Sequence, residues 1–324
     1  MDEPTLTPNQ QSSTQSAWER KTLEKLAFAA LEEQKSRRRW GIFFKTLGFI
    51  YVLVLVLAFV DFGGEVAHES NHTALVNLDG VIEAKGEANA EKLVNALQSA
   101  FESKGSVGVV LRINSPGGSP VQAGIINDEI KRLRQKYPEK KIYAVVEDLC
   151  ASGGYYVAAA TDKIYVNKAS IVGSIGVIMG GFGFTGAMEK LGVERRLLTA
   201  GENKGFLDPF SPQDPKQTEF AQAMLADIHN QFIEVVRSGR GKRLKETPEM
   251  FSGLFWTGTQ SIALGLADDY GTVDTVARDV FKAEKILDYS VKDNIAERFA
   301  KRLGASTMSS FWAGFAETFG TKAR

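Results

Sequence analysis

Apolar residues run almost unbroken from Trp40 to Val60, and beyond them short apolar stretches alternate with amphipathic ones. As a helix the first run spans roughly 30 Å, the hydrocarbon thickness of a bilayer. Lys35, Arg37, Arg38 and Arg39 precede it and Asp61 and Glu65 follow. Lys45 can snorkel and the neighbouring aromatics suit an interface. A retained signal-anchor is expected at 40–61, with residues 1–39 a cytoplasmic tail and the bulk of the chain exported. Within the tail, residues 1–16 are polar and Ala17 to Arg39 has the spacing of a charged amphipathic helix.

After a polar linker at 62–73, strands alternate with helices. Ala74–Ile82 reads as a strand and turn, Ala90–Ser103 as a helix, and Val107–Asn114 as a buried strand. Ser119 is a good N-cap and Pro120 a good first helical residue, predicting a helix to Lys136. Further strands are predicted at Ile142–Val146, Lys163–Val166, Ser174–Met179 and Glu194–Thr199, with helices at Val157–Ala160 and Thr185–Leu191. Asp214-Pro215 opens a long helix to about Ser238. The order predicts an α/β fold of stacked strand–strand–helix units. Near the end, Phe311, Trp312, Phe315 and Phe319 fall at helical spacing, which packing explains by default and a membrane-surface helix or lid as alternatives.

Composition narrows the chemistry. The 324 residues carry 39 basic and 39 acidic side chains. A net charge near zero exerts no long-range pull on phosphates, so nucleic acid is not expected as a partner. The single cysteine, Cys150, excludes an intramolecular disulfide and any multi-cysteine metal cluster, and at a strand end it reads as a packed side chain. His68 and His72 lie close together, but no carboxylate-rich motif accompanies them. No metal and no cofactor are expected.

Two glycine loops carry the candidate chemistry. Cys150-Ala151-Ser152-Gly153-Gly154 lies where a strand turns into a small-residue helix, which exposes a serine hydroxyl beside unpaired helix N–H groups. Ser152 is the candidate nucleophile and the Gly153 N–H an oxyanion donor. Ser115-Pro116-Gly117-Gly118 could offer a second N–H, although a tight turn before a helix cap accounts for it equally well. Neither loop fits a nucleotide fingerprint. The residue pattern leaves the base open. His229 sits in a helical pattern that gives it no support. Lys204, in Gly201-Glu202-Asn203-Lys204-Gly205, would have to be held neutral by burial or nearby positive charge, whereas a loop lysine is ordinarily just solvated.

Arg112 to Gly118, Ala151 to Tyr156, Gly173 to Val177, Gly201 to Gly205, Trp256 to Gly258 and Gly265 to Asp268 together resemble the signal peptide peptidase A family. This is serine peptidase family S49, which includes the SohB-type proteases. The resemblance covers about Thr73 to Val280 and implies a ClpP/crotonase-like fold with a Ser–Lys dyad. It matches Ser152 to the nucleophile, Lys204 to the general base, Ser174 to a serine that orients the lysine amine, and Gly118 and Gly153 to the oxyanion hole. The chain resembles the family's short form, with a catalytic domain at 74–280 and a C-terminal extension at 281–324. The resemblance further implies a homo-oligomer, an octameric ring in which neighbours complete each other's sites. The expected setting is the bacterial inner membrane with the catalytic domain on the periplasmic side, and the expected substrates are apolar peptides, including signal-peptide remnants. Two other readings share the fold. An acyl-CoA enzyme of the crotonase type is opposed by export and by the lack of a paired Glu in the glycine loops. A catalytically silent membrane scaffold is opposed by the intact Ser152, Ser174 and Lys204 set.

Overall fold

The computed structural model describes residues 25, 34–54 and 70–291. Residues 34–54 are helical (α1), with Trp40, Phe43 and Phe44 packed ring to ring along its side. Among the described residues no helix is both long and apolar enough to cross a membrane. The apolar run continues to Val60, and residues 55–60 lie outside the described residues, as do residues 1–16, His68 and the aromatic stretch 309–319.

The unit Ala67–Asp293 is a separate compact body. Its strands are β1 (His72–Asp79), β2 (Ser106–Ser115), β3 (Ile142–Ala151), β4 (Lys163–Val166), β5 (Ile171–Gly173), β6 (Phe255–Thr257), β7 (Asp269–Tyr270) and β8 (Ile286–Asp288). They form one sheet in the order β6-β5-β3-β2-β1-β8, with β4 and β7 branching from β3. All pairings are parallel except β5 with β6. The α/β expectation holds, with a parallel-rich sheet.

Alternation along the strands divides the core. Ala74, Val76, Leu78, Val109, Leu111, Ile113, Ala144 and Val146 face the helices, whereas Leu75, Val110 and Val145 form a second cluster with Tyr165 and Val276. The covering helices are α2 (Ala90–Glu102), α3 (Pro120–Lys136), α4 (Gly153–Ala158) and α6 (Pro215–Arg240); the others are α5 (Thr185–Leu191), α7 (Gly258–Ala263) and α8 (Val273–Thr275). The expected caps form. The Ser119 side chain accepts from Gln122 N and the Asp214 side chain from Lys216 N, each followed by proline.

A bulge in β3 prepares the site. Ile113 faces Val146 and Ser115 faces Cys150, so Asn114 alone stands against Glu147 to Leu149. Extra residues on one strand bend it and increase its twist. Before the bulge β3 pairs with β4, and after it with β5.

At the amino ends of the strands, two carboxylates cap strand N–H groups. Asp162 accepts from Ile142 N and from Arg134, and Asp268 accepts from Ile164 N, Arg240 and Arg243. Burial pushes the Asp268 carboxyl up. The Arg240 hydrogen bond and charge, the Ile164 N–H and the Arg243 charge together outweigh it and hold the group below the usual carboxylate range. The Gly265–Asp268 motif therefore serves the scaffold, at the sheet edge opposite Ser152.

Three sequence expectations change. The strand at Glu194–Thr199 is not formed: residues 193–199 lack regular structure and Leu198 is 97% exposed. A strand without a neighbour leaves its backbone groups unpaired, and this segment meets no sheet edge of its own chain. The strand drawn from Ser174 begins earlier, at Ile171, and ends at Gly173 where β6 stops pairing with it. The sheet also extends past residue 280. β8 pairs with β1, Tyr289 OH meets His72 Nε2 at 2.9 Å, and Asn77 N donates to Ser290 Oγ.

Candidate active site

Parallel strands bring their carboxyl ends to one edge, which is where α/β sheets form clefts. There β2 enters the glycine loop, β3 runs into Ser152, and β5 runs into Ser174. Ser152 has φ 50° and ψ −122°, a left-handed geometry for a non-glycine residue. Such strain costs about 1–3 kcal/mol and persists only where surroundings impose it. Here Ser152 N donates to Gly173 O at 2.9 Å, and Ser152 O accepts from Tyr156 N at 2.9 Å, the first turn of α4. Tyr155 anchors that helix: its ring is fully buried and its hydroxyl donates to Leu266 O at 2.8 Å. Burial holds the Tyr155 hydroxyl above the usual phenol range, so it stays a neutral donor.

The glycine loop presses against this turn. Gly117 and Gly118 have φ 95° and 147°. A Cβ on Gly117 would sit 2.5 Å from Gly153 N and 2.8 Å from Ser152 Cβ, and one on Gly118 would overlap the Ile82 carbonyl. Glycine is needed at both for conformation and for space. Gly118 N also lies 3.3 Å from where a Cβ of Gly153 would stand, so the two proposed donors border the same space. Neither N–H serves a backbone carbonyl in the described turns and loops.

The turn after β1 fixes the loop. Ile82 N donates to Gly117 O and Ser119 N to Ile82 O, both at 2.8 Å. Ser115 Oγ donates to Gly80 O at 2.6 Å and accepts from Gly117 N at 3.1 Å. Sequence reasoning assigned these supports no role. Their signal was a glycine after a strand and a serine at the end of another, both too common to select.

Ser152, Gly118, Gly153 and Ser174 line one cleft of about 540 Å³. Its remaining wall is largely apolar, with Ala123 of α3, Tyr156 of α4, Ile228 and Phe232 of α6, and Val177 and Ile178 after β5. Ser174 has φ 52°, and its N–H donates to Leu254 O at 2.8 Å. No carboxylate, histidine or lysine is among the described residues lining the cleft. Lys204 is exposed, in a turn closed by its N–H on Gly201 O, and does not line it. Four of the five sequence candidates thus meet and the fifth stands apart.

Cys150 is fully buried, and burial drives its thiol well above the usual range, away from the nucleophilic thiolate. His72 is buried with Nδ1 at 2.9 Å from Ser70 O and Nε2 on Tyr289 OH, so its ring nitrogens are engaged within the fold.

A strained serine under a glycine loop has relatives. The model of peptidase family S49 matches residues 134–287. A putative protease of Synechocystis sp. is 33% identical over 199 residues, covering 61% of this chain and 69% of that protein. The chain belongs to peptidase family S49. A putative signal peptide peptidase SppA of Enterococcus faecium is 29% identical over 224 residues, 67% of this chain and 64% of its own. A Na(+)/H(+) antiporter NhaA of Brucella abortus is 45% identical over 185 residues. That stretch covers 57% of this chain and 25% of the antiporter, so this S49 chain spans about a quarter of that relative's length. The S49 match contains Ser152, Ser174 and Lys204, whereas Gly118 and its loop precede it.

Proposed function

We propose that this chain is a membrane-anchored serine endopeptidase with a ClpP/crotonase-like fold, acting on apolar peptides through Ser152 and Lys204. The observation that carries the reading is the left-handed Ser152, held where Gly118 of the glycine loop and Gly153 of α4 line the same largely apolar cleft.

Ser152 Oγ attacks the scissile carbonyl carbon while a neutral Lys204 amine takes its proton. The carbonyl oxygen becomes an oxyanion that accepts from the Gly118 and Gly153 N–H groups. As the C–N bond breaks, the Lys204 ammonium returns the proton to the departing amine. Water then attacks the acyl ester, Lys204 accepts the water proton, and that proton ends on Ser152 Oγ as the acid leaves. Ser174 orients the amine.

The amine comes from a neighbouring copy. The cleft has no base of its own among the described residues, and Lys204 is exposed in a segment rich in uncovered apolar side chains, Ile178 at 94% and Phe182 at 82% among them. Cover by another subunit would bury those groups and exclude water from the amine. A closed octameric ring with shared sites is the assembly that the family resemblance implies.

The run Trp40–Val60 would anchor the chain in the bacterial inner membrane. Its basic amino-terminal flank keeps residues 1–39 cytoplasmic and puts the peptidase unit on the periplasmic side. That setting and the apolar wall fit signal-peptide remnants as substrates. Among the described residues no carboxylate lines the cleft to support the crotonase alternative.

Hydrolysis of a fluorogenic apolar peptide in detergent tests the reading. Ser152→Ala and Lys204→Ala should each reduce turnover to background, and a fluorophosphonate should label Ser152 alone. Full turnover by Lys204→Ala would remove the lysine from the mechanism.

A further inference from the structure

Ser174 is the second left-handed serine of the site, and nothing in its own sequence imposes that conformation. Two hydrogen bonds bracket it. On one side its N–H donates to Leu254 O at 2.8 Å. On the other, the carbonyl of Ile175 meets His229 Nε2 at 3.1 Å, across a sequence separation of 54. A carbonyl only accepts, so Nε2 is the protonated nitrogen. Ile175 is fully buried, which prevents water from replacing that donor.

His229 sits on α6 between Ile228 and Phe232, both of which line the cleft. Phe232 packs on Tyr156, 5.2 Å between ring centroids, and the Tyr156 N–H holds the Ser152 carbonyl. One helix therefore touches both serine turns, one through an aromatic contact and one through an imidazole. After Gly173 the chain has left the β-ladder, and residues 174–180 carry no regular structure to hold them.

We infer that His229 is a positioning residue: its Nε2–H clamps the Ile175 carbonyl to α6, keeps Ser174 left-handed, and so fixes the Ser174 hydroxyl in the cleft that Ser152 also lines. Its imidazole moves no proton in the reaction and does not line the cleft. Without the clamp Ser174 relaxes to an ordinary negative φ and its hydroxyl swings away from the amine it would orient. The inference rests on the Ser152–Lys204 reading.

The test compares His229→Leu, His229→Glu and His229→Gln in the full-length protein, with kcat and KM on one fluorogenic peptide and thermal midpoints alongside. Glutamine keeps an N–H donor at similar reach. Glutamate has nearly the same size but offers a carbonyl only repulsion, and it decides the comparison if His229→Leu fails to fold. Leu and Glu should lower kcat about tenfold with KM within about twofold, while Gln stays within about threefold of the wild type. A purely structural role would instead tie activity to the thermal midpoint and give no rescue by Gln. The inference is overturned if His229→Leu turns over like the wild type, if Gln is as impaired as Glu, or if the loss lies in KM. Ser152→Ala and Lys204→Ala serve as controls. If they are inactive while the His229 series is flat, only the clamp fails. If they still hydrolyse peptide, the dyad itself fails.

Discussion

Completion of the site by a neighbour has a quantitative consequence. Ser152→Ala removes the hydroxyl and leaves Lys204, and Lys204→Ala does the reverse, so each homogeneous assembly should be inactive. Within one chain the lysine is exposed and stands off the Ser152 cleft. On the proposed mechanism, a working site would draw its serine from one subunit and its amine from the next. In rings assembled from equal amounts of the two variants, a site works when the serine donor carries Ser152 and the adjacent donor carries Lys204. Each condition is met about half the time and independently, so about a quarter of wild-type turnover should return. The assay is co-expression with two affinity tags, tandem purification of mixed assemblies, and hydrolysis of a fluorogenic peptide per subunit. Native mass spectrometry establishes that both chains share one particle. Mixed particles with no more turnover than either parent would refute completion in trans. Turnover in the Lys204→Ala parent would refute the lysine altogether.

Other outcomes follow from particular contacts. Gly117→Ala forces a Cβ to within 2.5 Å of Gly153 N and 2.8 Å of Ala151 O, both backbone, so the loop must move and an oxyanion donor is misplaced. kcat should fall about 100-fold, with folding checked by circular dichroism. Asp268→Ala leaves Arg240, 1% exposed, without its carboxylate, which should cost about 3 kcal/mol and lower the thermal midpoint by about 10 °C. The depressed Asp268 carboxyl contributes stability that is complete above its ordinary value of 3.8 and is lost as pH falls through the lower folded value. Chemical denaturation at stepped pH should show that loss in the wild type and a shallower one in Asp268→Asn. Tyr155→Phe strands the buried Leu266 carbonyl and should destabilise by about 1–2 kcal/mol, read from a urea midpoint.

Much of the scaffold was legible because it rests on local rules. Buried parallel strands read as continuous apolar runs, and Ser119-Pro120 and Asp214-Pro215 announced their helices. The two glycine loops were legible for the same reason, since left-handed backbone needs glycine or a strained residue and the motif supplies both. What escaped lies in pairings between distant residues. β8 has three residues, and only its partner β1 makes it a strand. Glu194–Thr199 reads as a strand from its sequence, yet the segment pairs with no strand of the described sheet and Leu198 meets solvent. Arg240 and Asp268 are 28 residues apart and gave no signal until the sheet brought them together.

The division between the two sheet edges gives those misses a common cause. At the amino ends, charges are buried, paired and bonded to strand N–H groups, which is where removal of one partner costs most. At the carboxyl ends, Ser152 and Ser174 are strained and three backbone turns hold one another through Gly80, Ile82, Gly117 and Gly173. Strain of this kind is tolerated only on a frame that does not yield. The fold ties the Gly265–Asp268 motif to the Ser152 turn: Leu266 accepts the Tyr155 hydroxyl that anchors the helix after Ser152, and Asp268, two residues on, ties the same stretch to Arg240. A substitution at the frame edge should therefore lower turnover roughly in step with stability. One at the strained edge should lower turnover while the thermal midpoint stays put or rises, because relaxing a left-handed serine stabilises the fold as it disables the site.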